Sequence, residues 1–454
     1  MPATPAVPDT SVSESRAQLA DVVDFARAEA RRQGASESEA DASVSRGLSV
    51  NVRLGEVDTV EFQRDRGLGV TVYLGKRKGS ASTADLSRAA VAETVGKACA
   101  IARYTAEDSY AGLIEPEALA RDIPDLDLDH PWELAPERAI ELARECEAAG
   151  RAVDTRLSNS EGAAVNSQRH TGVYGNSHGF LAGYSSTSHS VSATLIAQQG
   201  EDMQRDYWYS VTRDPLDLEP VATIGRTAGE RALARLGARR LPTRKAPVAF
   251  APEMARGLLG HFIGAIRGTS QYRKASFLLG AAGSQVFPAG VSMAERPHIP
   301  KGLASAPFDQ EGAATRDRDL VEGGVLEGYL LGSYSARRLG LKTTGNAGGL
   351  HNLLVTAADG GLPNEQFLRR LGTGLLVTEL MGQGVNGVTG DYSRGASGFW
   401  VENGAILYPV HEITIAGNLK QMYRDIAALG ADVDTRGGIR VGSVLISEMT
   451  IAGE

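Results

Sequence analysis

SVNVRLGEVDTVEFQRDRGLGVTVYL, residues 49–74, repeats with a period of two. Val50, Val52 and Leu54 alternate with Asn51 and Arg53, Gly55 interrupts, and the alternation resumes through Val60, Phe62, Val70, Val72 and Leu74. Successive side chains of a strand point to opposite faces, so the spacing predicts an antiparallel meander with glycine turns from 48 to 83. On either side the period becomes that of a helix. Upstream, SRAQLADVVDFARAEARRQG places Leu19, Val22, Val23 and Phe25 or Ala26 at helical spacing and stops at Gly34, where a C-terminal glycine is expected. Downstream, LSRAAVAETVGKACAIARYTA, 86–106, has an alanine-rich helical face. Strands and helices that come in blocks favour an α+β fold over a doubly wound one.

Further along, GLIEPEALARDIPDLDLDHPWEL, 112–134, is acidic and proline-broken and reads as an irregular connection. A helix is predicted from Pro136 through Ile140, Ala143 and Cys146, since proline suits a first turn. A second strand-rich block spans 170–214, and a helix covers Val221 to Leu236. The basic string GARRLPTRKAP, 237–247, reads as a linker and marks the main boundary. Beyond it, PVAFAP reads as a short strand, and many short glycine-punctuated strands follow. The predicted organisation is a disordered tail at 1–15 and an N-terminal α+β domain at 16–240, in portions 16–111 and 135–240. A β-rich C-terminal domain follows at 247–454, holding a large curved or barrel-like antiparallel sheet with few helices.

Composition narrows the function classes. Of 454 residues, 42% are hydrophobic and 22% charged, which is ordinary globular usage. A net charge of -8 argues against a nucleic-acid binder, which needs a basic stripe to displace counterions. The two cysteines, Cys99 and Cys146, form no metal or disulfide pattern, which fits a cytoplasmic setting. No run of about 18 apolar residues indicates a membrane span, and the first residues lack the order of a signal peptide.

Eight histidines bound the metal chemistry. A catalytic zinc takes three protein ligands and keeps one position for water, commonly with two histidines on one helix and a glutamate as base. His411-Glu412 is the one His-Glu pair, but it lies in the alternating strand YPVHEITIAGN with no histidine in the next six residues, and reads as a surface or edge pair. His170, His178 and His189 are spaced by eight and eleven, which matches no common metal motif. GNSHG, 175–179, lacks the central serine of a nucleophile elbow. There is no Walker A string, and the clusters GNAGG and GQGVNG read as turns. The helix-like stretch GLLGHFIGAIRG, 257–268, carries the single histidine His261, and one imidazole cannot hold zinc against water and competing ligands.

Several longer strings carry a resemblance. RLGEVDTVEFQRDRGLGVTVYLGKRKGSAST at 53–83, NSEG at 159–162, TTGNAGG at 343–349, ELMGQGVNGVTGDYSRGASGFWVENG at 379–404 and the terminal GSVLISEMTIAG resemble the TldD/PmbA family, known as modulators of DNA gyrase and zinc metallopeptidases. TldD-type members carry His-Glu-x-x-x-His in the first helix of the C-terminal domain, with a later cysteine completing the zinc site. Laid on that motif, this chain has Gly260 and Ala265 at the two histidine positions and His261 at the glutamate, and no cysteine after Gly430. It resembles the TldE branch, which lacks the motif. The resemblance implies no catalytic or metal residue and no cofactor in this chain. It implies zinc in a partner TldD-type metallopeptidase subunit, joined as a heterodimer or higher complex. Unfolded peptides are the implied substrate, taken up by strand addition. Two rivals stand beside this expectation. One is an autonomous metallopeptidase built from dispersed residues such as His178, His189, His411 and Glu412, and the other a non-proteolytic, protein-binding regulator of DNA gyrase.

Overall fold

A computed structural model describes residues 12–453. Of the tail expected at 1–15, residues 1–11 lie outside the described residues. The N-terminal half comprises α1 (Val12–Arg32), β1 (Glu37–Arg53), β2 (Glu56–Leu74), β3 (Arg77–Thr83), α2 (Arg88–Tyr104), α3 (Pro136–Arg151), β4 (Asn159–Asn176), β5 (Leu181–Gln199), β6 (Asp202–Thr212) and α4 (Val221–Ala234). Its strands form one antiparallel six-stranded sheet in the order β3-β2-β1-β4-β5-β6. The two strand blocks read separately in the sequence thus belong to one sheet, joined where β1 pairs with β4. Both strands are longer than their periodicity suggested, β1 beginning at Glu37 and β4 at Asn159.

Alternation decides which face each helix covers. Ala40, Ala42, Leu68, Val70 and Val72 pack with Val23, Ala26, Val95 and Cys99 of α1 and α2. Leu48, Val50, Val52, Val165, Val191 and Leu195 pack with Ala143, Cys146, Ile224 and Ala228 of α3 and α4. All the β1 residues in these two sets are even-numbered, so both helix pairs lie on the same face. The odd-numbered residues of β1 look the other way, toward the C-terminal half.

That half comprises β7 (Arg244–Phe250), α5 (Pro252–Ile266), α6 (Gly268–Tyr272), β8 (Val291–Glu295), β9 (Arg318–Glu322), β10 (Val325–Leu326), α7 (Ser333–Leu339), β11 (Leu353–Ala357), α8 (Asn364–Leu371), β12 (Gly374–Met381), β13 (Asp391–Glu402), β14 (Ala405–Asn418), α9 (Leu419–Arg424), β15 (Ile426–Leu429), β16 (Ile439–Arg440) and β17 (Val444–Ala452). One sheet runs β14-β13-β12-β7-β17-β15, and β14 also pairs with β17, so five of its strands close into a barrel. The barrel is antiparallel except at β7–β12, which run parallel. A second, five-stranded sheet has the order β10-β9-β8-β11-β16. Helix α5 lies in the core the two sheets share, through Ala255, Leu258, Leu259, Phe262, Ile263 and Ile266. Closing a sheet on itself removes exposed strand edges, which suits so strand-rich a chain. No helix among the described residues is long and apolar enough to cross a membrane.

Candidate functional site

The odd face of β1 and the matching face of β4 and β5 form one wall of a cleft. Register puts Asp41 opposite Tyr174, Ser43 opposite Gly172 and Ser45 opposite His170. The facing wall comes from the C-terminal half, with Leu303 to Gln310 and the GNAGG loop, Gly345 to Gly349. Two adjoining cavities of about 640 and 470 Å³ share Asp41, Tyr174, Gln310 and Ala347 to Gly349. A third of about 430 Å³ continues them past Glu39, Glu311, Tyr272 and Tyr334.

Buried carboxylates hold the walls. Asp309 is 3% exposed and accepts the N–H groups of Glu311 (2.9 Å), Ala313 (2.9 Å) and Ala347 (2.8 Å), tying the two loops of the C-terminal wall together. Burial nevertheless pushes its pKa up to about 6. Glu295, 1% exposed, accepts Asn346 Nδ2 (2.7 Å), His351 N (2.8 Å) and Arg318 Nε (2.8 Å), which anchors the far end of the GNAGG loop. The glycines of this loop are required by the backbone. Gly348 sits at φ +94°, and a Cβ there would meet the Gln310 side chain at 2.5 Å. Across the cleft, Tyr174 and Tyr73 donate to Glu39 at 2.8 and 3.3 Å, and burial raises the Glu39 pKa. Arg213 bridges the halves, donating to Thr187 O (2.8 Å) and Leu303 O (2.7 Å). The cleft thus offers acceptors, donors and aromatic faces around an extended volume, which suits binding.

The positions laid on the zinc motif lie elsewhere. Pro252 opens α5 in its first turn, and the apolar spacing turns one side of the helix into the core. Gly257 and Gly260 are exposed, and a Cβ at Gly257, Gly260 or Gly264 would meet nothing within 4 Å. His261 is half-buried with its ring edge-on to Tyr392, 6.0 Å between centroids. Burial and then Arg394 hold its pKa below the usual range, so the imidazole is neutral at pH 7. Ala265 is 4% exposed and belongs to the core, and its carbonyl accepts from Ser276 Oγ (2.7 Å) and Gln271 Nε2 (2.8 Å). Five residues of a regular helix turn through about 140° beyond a full turn, so Gly260 and Ala265 do not share a side. With no ligand atom at either position, this donor set does not fit zinc.

The other histidines are dispersed. His189 is 1% exposed, contacts Ser167 Oγ (3.0 Å) and His130 O (2.8 Å) and packs edge-on against Trp132. His178 Nδ1 lies 3.0 Å from Ile114 O. His170 Nδ1 meets Ser45 Oγ at 2.9 Å on the cleft face. His411 and Glu412 sit at a bulge, where the register jumps from Ala396↔Ile413 to Gly398↔Val410, and Glu412 takes φ +51° and pairs with Arg240. Among the described residues no group of three or more His, Cys, Asp or Glu side chains is placed to hold a metal. The cleft residues Glu39, Asp41, Asp309 and Glu311 escaped sequence reasoning, because each looks like a loop or surface acid until the two halves meet.

The comparisons with known proteins agree with this architecture. Models of the PmbA/TldA metallopeptidase domain 1, central domain and C-terminal domain match residues 39–102, 129–236 and 243–453. Metalloprotease PmbA of Escherichia coli O157:H7 is 55% identical over 91% of each chain. A PmbA homolog of Haemophilus influenzae is 47% identical over 99% of each. A solved structure from Bacteroides thetaiotaomicron, designated a candidate modulator of DNA gyrase, superposes with a TM-score of 0.89 at 26% identity, covering 96% of this chain and 98% of that one. On this evidence the chain belongs to the PmbA/TldD metallopeptidase family.

Proposed function

We propose that this chain is the non-catalytic subunit of a heteromeric TldD/TldE-type zinc metallopeptidase that processes unfolded peptides in the cytoplasm. The observation that carries the reading is α5. At the two histidine positions of the family motif it has Gly260 and Ala265, and Ala265 is packed in the core. Zinc and hydrolysis then come from a TldD-type partner, and this chain contributes a binding wall. Its cleft is wide enough for an extended chain, whose backbone amides the hydroxyls, carboxylates and loop N–H groups can meet. The dispersed histidines lend no support to an autonomous peptidase. A protein-binding regulator remains a second reading, favoured by the designation of the Bacteroides relative.

The test is hydrolysis of an unfolded polypeptide, with zinc supplied, by this chain alone, by a TldD-type subunit alone and by the mixture. The reading expects no cleavage by this chain and more cleavage by the mixture than by the TldD-type subunit. Cleavage by this chain alone, abolished by chelation, overturns it in favour of the autonomous enzyme. A mixture no more active than the TldD-type subunit overturns it in favour of the regulator.

A further inference from the structure

One position of β1 falls between the two helix pairs. Ala40 and Ala42 pack with α1 and α2, Leu48, Val50 and Val52 with α3 and α4, and Arg46 stands between the two sets on the same face. The connection 128–134 crosses the sheet beside it, held where Thr187 N donates to Leu128 O (2.9 Å) and His189 Nε2 to His130 O (2.8 Å). Under this connection lies a cavity of about 230 Å³, on the face of the sheet away from the cleft. Arg46, Leu48, Ser167, Arg169 and His189 form its floor, and Trp132 and Leu134 form its apolar wall. Glu133, between the two wall residues, is exposed and does not line it.

The charges of this cavity do not balance. Arg46 is half-buried, and its partners across the sheet are both arginines, Arg64 on β2 and Arg169 on β4. Like charges directly opposite destabilise a sheet. Asp129 neutralises Arg169 with a bidentate pair at 2.9 and 2.8 Å, but among the described residues no carboxylate pairs with Arg46. His189 adds no charge. Its Nε2 carries the proton that His130 O accepts, so its Nδ1 accepts from Ser167 Oγ (3.0 Å), and burial keeps the ring neutral at pH 7. One surplus guanidinium therefore faces a small cavity with an apolar wall. A guanidinium fork matches a carboxylate, the single surplus charge matches a monoanion, and Asp129 disfavours a second negative charge. The volume lies below the roughly 300–1,000 Å³ of sites for drug-sized ligands, so the ligand is small. We propose that this cavity binds a small monocarboxylate with an apolar body, the carboxylate on Arg46 and the body against Trp132 and Leu134. The proposal stands independently of the reading of the cleft.

The experiment is calorimetric titration of the full chain at pH 7 with benzoate, acetate, benzamide and inorganic phosphate. Benzoate should bind at least tenfold more tightly than acetate, which lacks the apolar body, and than phosphate, which brings the second charge. Benzamide, without the carboxylate, should not bind. Arg46→Gln should weaken benzoate at least tenfold, and Arg46→Lys, which keeps the charge and loses the fork, should fall between it and the native chain. A melting curve of each variant checks that the fold is kept. Benzoate should also quench tryptophan fluorescence in the native chain and not in Trp132→Phe, which separates this cavity from Trp208 and Trp400. The proposal is overturned by a native chain that does not bind benzoate at millimolar concentration, by phosphate binding more tightly than benzoate, by benzoate affinity indifferent to Arg46→Gln, or by quenching that survives Trp132→Phe.

Discussion

Asp309 makes stability depend on pH in a direction opposite to most carboxylates. An aspartate usually titrates near 3.8, and burial raises this one to about 6 in the folded chain. Between those values the native state binds more protons than the unfolded state, so stability falls as pH rises from about 4 to about 6. Below 3.8 both states are protonated, above 6 both are ionised, and the difference is constant beyond either limit. At about 1.4 kcal/mol per pH unit, the window is worth about 3 kcal/mol. The perturbation is Asp309→Asn. Asparagine keeps the volume but turns an NH₂ toward one of the three N–H donors, a pH-independent loss of about 1–3 kcal/mol. Urea unfolding of both proteins at pH 4, 5, 6 and 7 separates the two contributions, because every titrating group that does not interact with Asp309 cancels in the difference. The stability of the native protein relative to Asp309→Asn should be about 2.4 kcal/mol greater at pH 4 than at pH 7, short of the full window because the unfolded aspartate is already more than half ionised at pH 4. A difference that is flat, or that grows with pH, would refute the argument, because the three N–H donors would then outweigh burial.

Other substitutions test the packing. Gly260→Ala should stabilise by up to about 1 kcal/mol, since the helix gains propensity and the new Cβ meets open space; a melting curve would show it. Ala265→His forces an imidazole into the core and should cost about 1–3 kcal/mol in denaturant. Combining it with Gly260→His and His261→Glu should still give no tight zinc binding by calorimetry, because positions 260 and 265 do not share a side of the helix and Ala265 faces the core. Gly225→Ala puts a Cβ 1.8 Å from the Cys146 carbonyl where α3 and α4 cross, and should lower the melting temperature by several degrees.

What the sequence made legible was whatever repeats locally. The helices at 88–104, 136–151 and 221–234 follow the apolar spacing closely, and the meander through Val50, Val60 and Val70 has the expected alternation. The pairing of β1 with β4 was not legible, because Val50 meets Val165 across more than a hundred residues and periodicity carries no information about partners. The start of β1 was hidden for a chemical reason. Glu37, Glu39 and Asp41 fall between the predicted helix end at Gly34 and the predicted meander at 48, yet they are the outward half of an alternation whose inward half is Ser38, Ala40 and Ala42. Their polarity belongs to the cleft, and the cleft exists only when the C-terminal half supplies its other wall. GNAGG was read as a turn and is one, but its place opposite Asp41 depends on Glu295 and Asp309, which lie about 50 and 40 residues upstream.

The positions of α5 laid on the zinc motif are held unequally by the fold. The two sides of the helix are under different constraints. Leu258, Leu259, Phe262 and Ile266 fill the core between two sheets, and Tyr423 donates to the Leu258 carbonyl at 2.9 Å, so the inward side is fixed by packing. The outward side at Gly257, Gly260 and Gly264 touches nothing, so its side chains are free to vary without cost to the fold. Position 260 could therefore accept a ligand side chain with little structural consequence. Position 265 could not, because its Cβ faces the core and its carbonyl is held by Ser276 and Gln271. A metal-binding form of this helix needs a different local path around 265, and substitution on the present backbone does not supply it.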